Sequence, residues 1–389
     1  MLTRRSLLRS APLLALAPTV PEFLMRTARA AGPQPDARAL VVVQLDGGND
    51  ALNTVVPFAD PEYARLRSKL KLDPKGLVKL NDSLGLHPAL KPLDKLWTGG
   101  RLAVLPGVGY PNPNRSHFES MAIWHTARFA DDEVRTSPGW IGRALDAAGG
   151  ESCVIATDAP RAVRGRRAPI VTLTRAEDLL LTAPAAARTA VGAPTRDDDL
   201  LAFVRRQTAD AIVGAEKVAA MTGTKSDAEY PATGLGQKLQ LVARMLKAGF
   251  LARAYYTTQK GYDTHAQQGF AHGQLLGEFA GGVSAFFADL TASGLTDRVV
   301  LVAFSEFGRT IRENGSQGTD HGTTGCVFVA GGGVAGGVHG TQPSLTELVG
   351  GEPTMTTDFR AVYSTLLTDW LKLPADDSSG ALARVKLFG

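Results

Sequence analysis

The apolar positions of this chain gather into short continuous runs, separated by longer stretches with helical spacing. ALVVVQL at 39–45, LAVLPGV at 102–108, RVVLVAFS at 298–305 and TGCVFVAGG at 324–332 are apolar almost throughout, which predicts strands buried on both faces of a sheet. ARAYYTTQ at 252–259, after a helix expected at 234–250, predicts one more short strand. The segment 272–290 places Leu275, Leu276, Phe279, Val283, Phe286 and Leu290 three or four residues apart, the stripe of a helix lying on a core. Thr357 and Asp358 read as a cap that opens a closing amphipathic helix. Strands alternating with helices predict an α/β fold, a mostly parallel sheet flanked by helices. Residues 150–235 break that pattern. They are rich in Ala, Arg, Thr and Asp without strong buried runs, and read as an inserted, mainly helical lobe.

Charge changes the picture at one end only. The net charge is +4, and residues 1–30 account for all of it with five arginines against Glu22. The remainder is balanced, so no basic field for nucleic acid is left. Those residues carry a paired-arginine start, TRRSLLRS, a short apolar stretch, APLLALAPTV, and a small-residue cleavage site at Ala28-Arg29-Ala30. They resemble a twin-arginine signal, the alternative being a general secretory signal that contains two arginines. The expected partner is the twin-arginine export machinery, and the expected location is the periplasm or the exterior. Residues 31–38 would be a linker and 39–389 the folded domain. The apolar stretch is well short of the ~20 residues that span a bilayer, and no later segment reaches that length, so no span is expected in the mature chain. Cys153 and Cys326 are the only cysteines, too far apart in sequence for a metal clip, and read as small buried hydrophobes.

In a parallel sheet, ligands collect beyond the carboxyl ends of the strands. Asp46 follows the first strand, in VVVQLDGGND, and Ser116 and His117 follow the second after a proline-asparagine loop. Asp263 and His265 follow the strand at 252, Glu306 follows the strand at 298, and His321 precedes the strand at 324. Asp, Glu and His form the ligand set of zinc, manganese, magnesium or calcium. Each residue also has a plainer reading. Asp46-Gly47-Gly48 suits a turn, Ser116 to Glu119 matches a capping box, and Glu306 is placed to pair with Arg309. Asp263 and His265 alternate, which points both side chains the same way from an extended segment. GGGVAG at 331–336 has dinucleotide-loop spacing but opens no helix.

Taken in order, LDGGNDALNTVVPF, NRSHFESMAIWHTA, GYDTHAQQ, VAFSEFGRT and TDHGTTG resemble an exported bacterial family, domain of unknown function 1501, of the alkaline phosphatase and sulfatase superfamily. The resemblance implies an alkaline phosphatase-like domain with one or two divalent ions held by Asp46, Asp263, His265, Glu306 and His321. It implies Ser116 as nucleophile, His117 as a substitute group beside it, and a phosphate or sulfate ester, small or polymeric, as substrate. Phe307 stands where the superfamily has histidine and Glu306 where it has aspartate, so a non-enzymatic binding or assembly protein with a degenerate site is the alternative. Oligomeric state leaves no trace in the sequence.

Overall fold

The first long strand, β1 (Ala39–Asp46), is buried on both faces. Val41, Val43 and Leu45 enter one apolar core while Leu40 and Val42 enter another, which is what an uninterrupted β-branched run produces at the centre of a sheet. The computed structural model describes residues 38–175, 226, 228–250, 252–375 and 382–389. The expected signal, all of the linker except Arg38, and most of the expected lobe lie outside them.

Around β1 the sheet contains β2 (Leu102–Gly109), β3 (Ser152–Ile155), β4 (Ile170–Leu173), β5 (Ala254–Lys260), β6 (Val299–Phe304), β7 (Gly325–Gly331), and the two-residue strands β8 (Gly337–Val338) and β9 (Thr357–Asp358). Their order is β8-β2-β7-β6-β1-β5-β3-β4, with β9 paired to β2. Five helices matter for the site: α1 (His117–Thr126), α2 (Trp140–Ala148), α3 (Gly234–Lys247), α4 (Gln268–Ala292) and α5 (Phe359–Thr365). Leu239 and Val242 of α3 and Phe279, Val283 and Phe286 of α4 pack on one sheet face. Trp124 of α1, Trp140 of α2, and Phe359 and Val362 of α5 pack on the other. The α/β class with a mostly parallel, helix-flanked sheet is therefore observed. Asp358 caps α5 as expected, its carboxylate accepting from the Arg360 amide at 2.9 Å.

One expectation needs correction. The expected lobe does not begin at 150: β3 pairs in parallel with β5, and β4 with β3, so residues 152–173 extend the main sheet. Both strands are four residues long, and β4 is a partly exposed edge, so neither produces a long apolar run. Within the mostly parallel sheet, β7 runs antiparallel to both β2 and β6. Residues 305–324 return from β6 without a helix, and a parallel partner requires a crossover of a dozen or more residues, usually helical. The reversal matters for function, because it puts the start of β7 at the rim where β1, β2, β5 and β6 end. Both cysteines are free and buried.

Candidate metal centre

After β5 the chain turns at Gly261 and runs extended, burying Tyr262 and Thr264 and exposing Asp263 and His265. Asp263 is the focus of the rim. Its Oδ1 lies 2.9 Å from His265 Nε2, 3.1 Å from His321 Nε2 and 3.5 Å from His117 Nε2. His265 Nε2 and His321 Nε2 are 3.1 Å apart.

The far side of each imidazole fixes its proton. His321 Nδ1 is 2.8 Å from the Arg115 carbonyl oxygen, His265 Nδ1 is 3.1 Å from Asp320 Oδ1, and His117 Nδ1 is 2.8 Å from Glu306 Oε1. A carbonyl or carboxylate oxygen accepts, so each Nδ1 carries a hydrogen and each Nε2 is the ring atom turned toward Asp263. The Arg309 guanidinium already brings positive charge to this point, donating to Asp263 Oδ1 and lying 3.5 Å from His265 Nε2. His117 Nε2 is buried and makes no hydrogen bond. Donors around one tetrahedral zinc ion stand about 3.3 Å apart, close to the separations between Asp263 Oδ1 and each Nε2. Asp263, His321 and His117 each bring a donor within 4.8 Å of the others, a set that fits a divalent ion, and His265 adds an imidazole nitrogen near Asp263 and His321; each imidazole is oriented from behind by an acceptor.

Burial works to raise the Asp263 pKa, but the Arg309 guanidinium, with His321 and His265, outweighs it and holds the carboxyl at about 2. Arg309 is buried beneath the cluster, donating to Asp263 Oδ1 and to the carbonyl oxygens of Gly47, Gly48, Tyr262 and Thr319. Arg309 thus pairs with Asp263 rather than with Glu306. Its role arises from tertiary burial, and only its charge is visible in sequence.

Glu306 is 1% exposed and fully engaged. Oε1 accepts from the Gly47 amide and His117, and Oε2 from the Ser305 hydroxyl at 2.9 Å. It orients His117, and its hydrogen bond raises the imidazole pKa. Phe307 packs under the imidazoles, its ring 5.0 Å from those of His117 and His321. The glycines after Asp46 answer to this packing. A Cβ on Gly48 (φ +77°) would sit 2.4 Å from the Phe307 ring, and one on Gly47 (φ +119°) 2.5 Å from the Asp263 amide. They allow close approach of chain segments; they do not clear space for an ion.

Asp46 shares a cleft of about 520 Å³ with His117 and Asp263. Burial and then Glu306 raise its pKa, while the Gln44 amide, 2.9 Å away, opposes that rise. Ser116 is exposed at the start of α1, and its hydroxyl forms no cap. The capping box fails because Asn114 Oδ1 already accepts from the Ser116 amide, the donor that Glu119 would have satisfied.

A second polar cluster lies under the rim. Asn49 Oδ1 accepts from His272 Nε2 at 2.9 Å, and Arg67 grips Asp50 in a pair with both side chains about 1% exposed or less. Desolvation holds both His272 and His125 near pKa 4 against the ordinary 6.5. Buried neutral histidines stabilise fully above pH 6.5 and lose that contribution as pH falls toward 4, by roughly 3 kcal/mol each at most. Urea unfolding of chelator-treated protein is therefore expected to show stability falling steeply between pH 6.5 and 4. Constant stability over that window would contradict the burial of two neutral imidazoles.

The fold and site define an α/β protein with a His/Asp cluster at the sheet rim whose donors fit a metal ion. Residues 192–371 match the family model described as Protein of unknown function (DUF1501). No curated protein matches the sequence. Among solved structures the chain is similar to the lipoteichoic acid synthase LtaP of Listeria monocytogenes, with 10% identity, coverage of 90% of this chain and 81% of that one, and a TM-score of 0.39. It is similar to the soluble domain of lipooligosaccharide phosphoethanolamine transferase A of Neisseria meningitidis, with 12% identity, 78% and 81% coverage and a TM-score of 0.39. It is also similar to the PsFucS1 sulfatase of Pseudoalteromonas sp., with 10% identity, 85% and 68% coverage and a TM-score of 0.36. Among the described residues no helix is long and apolar enough to cross a membrane.

Proposed function

We propose that this protein is an exported metal-dependent hydrolase that cleaves a phosphate or sulfate ester. The observation that carries the reading is the convergence of three imidazole Nε2 atoms on Asp263 Oδ1, one of them buried without a hydrogen bond. Export rests on the paired arginines and cleavage site of residues 1–30.

A bound divalent ion would supply Lewis-acid stabilisation of the charge on the ester oxygens. The chain supplies the rest. Ser116 Oγ forms a bond to the phosphorus or sulfur atom as the bond to the alcohol oxygen breaks. Asp46 lines the cleft and Ser116 is exposed beside the cleft-lining His117; in this reading Asp46 takes the serine proton and returns it to the departing alcohol. Water then displaces the serine by the reverse sequence. Ser116→Ala is expected to lower turnover by roughly 10³-fold or more with metal content unchanged. Unchanged turnover across a panel of phosphate, phosphonate and sulfate esters would refute the serine's role.

A binding protein that holds an ion without turnover is the second reading. It is favoured by the Arg309 guanidinium, which donates to the same Asp263 oxygen that the imidazoles surround. Absence of activity on every ester in a correctly metallated sample would select it.

A further inference from the structure

We infer that the cleft beside the metal cluster takes an ester whose alcohol is an apolar group, with Phe118 as that group's main contact. The inference rests on the proposed hydrolase reading. His117, Phe118, Met121, Ala122 and His125 all line the cleft from one side. Positions i, i+1, i+4, i+5 and i+8 share one face of a helix, so α1 presents a single strip about 12 Å long. The strip starts at an imidazole of the metal cluster and ends at His125. Everything between them that faces the cleft is apolar.

His125 does not restore polarity at the far end, because its Nε2 is turned inward, 3.1 Å from Gln44 Oε1 and 3.3 Å from the Tyr256 hydroxyl. Arg161 lies at the same end, but it donates to the carbonyl oxygens of Arg135 and Ser137. The opposite wall presents Asp46, Gly47, Gly261 and Asp263, so backbone bounds the cleft at both glycines. A sugar or polyol laid along α1 would meet no hydrogen-bonding side chain on that wall between His117 and His125.

Phe118 is 88% exposed, although it adjoins His117 in the chain and lines the same cleft. A lone exposed phenylalanine needs no explanation. This one continues an apolar strip that begins at the reacting centre, where a flat apolar alcohol would cover it.

Phenylphosphonate and methylphosphonate carry the same anion and resist hydrolysis, so calorimetric titration of zinc-loaded protein with each separates the apolar contribution. Phenylphosphonate is expected to bind about tenfold more tightly or better, and Phe118→Ser to remove most of that advantage while leaving methylphosphonate affinity unchanged. Equal affinities for the two, or a Phe118→Ser variant that keeps the full advantage, would overturn the inference while leaving the metal centre intact. Failure of methylphosphonate to bind zinc-loaded protein would overturn the hydrolase reading, and the apolar site with it.

Discussion

Asp263→Asn is expected to cost the protein its metal while leaving the fold in place. The amide oxygen of asparagine still accepts from Arg309, so the buried guanidinium keeps a partner. What disappears is the anionic donor that three imidazoles surround at 2.9, 3.1 and 3.5 Å. Removing an outer-shell partner of a metal ligand typically weakens binding 10–100-fold, so losing a charged ligand outright should exceed about 100-fold. His117→Ala should act in the same direction, because its unpartnered Nε2 completes the set. Asp46→Asn should leave metal content unchanged and lower turnover, since Asp46 lines the cleft without bonding to the cluster. Competition with a chelator of known affinity, read beside unfolding curves of the metal-free proteins, checks all three. Metal loss in Asp46→Asn together with retention in His117→Ala would restore the ligand set expected from sequence.

Asp50→Ala should have the largest effect on stability, about 3–5 kcal/mol, because it strands a buried arginine. Arg67 donates to Asp50 at 2.6 and 2.9 Å and to the Ile311 carbonyl oxygen at 2.7 Å. Burial pushes the Asp50 carboxyl upward, and Arg67 more than reverses that, so the pair stays charged. Gln268 at the start of α4 also donates to Asp50, while the preceding Asn49 binds His272. The pair thus ties the end of the Asp46–Asp50 turn to α4 and to the 310–311 segment. A double Asp50→Ala, Arg67→Met variant should recover much of the loss, since breaking one partner costs more than replacing both. Urea unfolding of the two single variants and the double variant measures this, and additive losses would show that the pair is not coupled.

The sheet was legible in sequence because its central strands are buried on both faces and so appear as unbroken apolar runs. Where strands are short or at an edge, as at 152–155 and 170–173, the signal vanishes and a lobe is inferred in its place. Strand direction was not legible at 325–331, since an apolar run looks the same both ways. Only the non-helical return from β6 reveals the reversal that carries His321 to the rim. In the site, the alternation of Asp263 and His265 was readable from local geometry. The separation of roles between His117 and Glu306 was not. A glutamate after a strand resembles a ligand until its oxygens are seen to be taken by Gly47, Ser305 and His117. Arg309, which holds four backbone carbonyls and Asp263 at once, gains its function from burial, and no spacing rule announces burial of a cation.

X-ray absorption at the metal edge of zinc-reconstituted protein tests the centre most directly. One zinc per chain, bound by three imidazole nitrogens and one carboxylate oxygen at about 2.0–2.2 Å, is the expected result. Failure to retain stoichiometric metal, or a spectrum with fewer than three imidazoles, would contradict a centre built from His117, Asp263, His265 and His321.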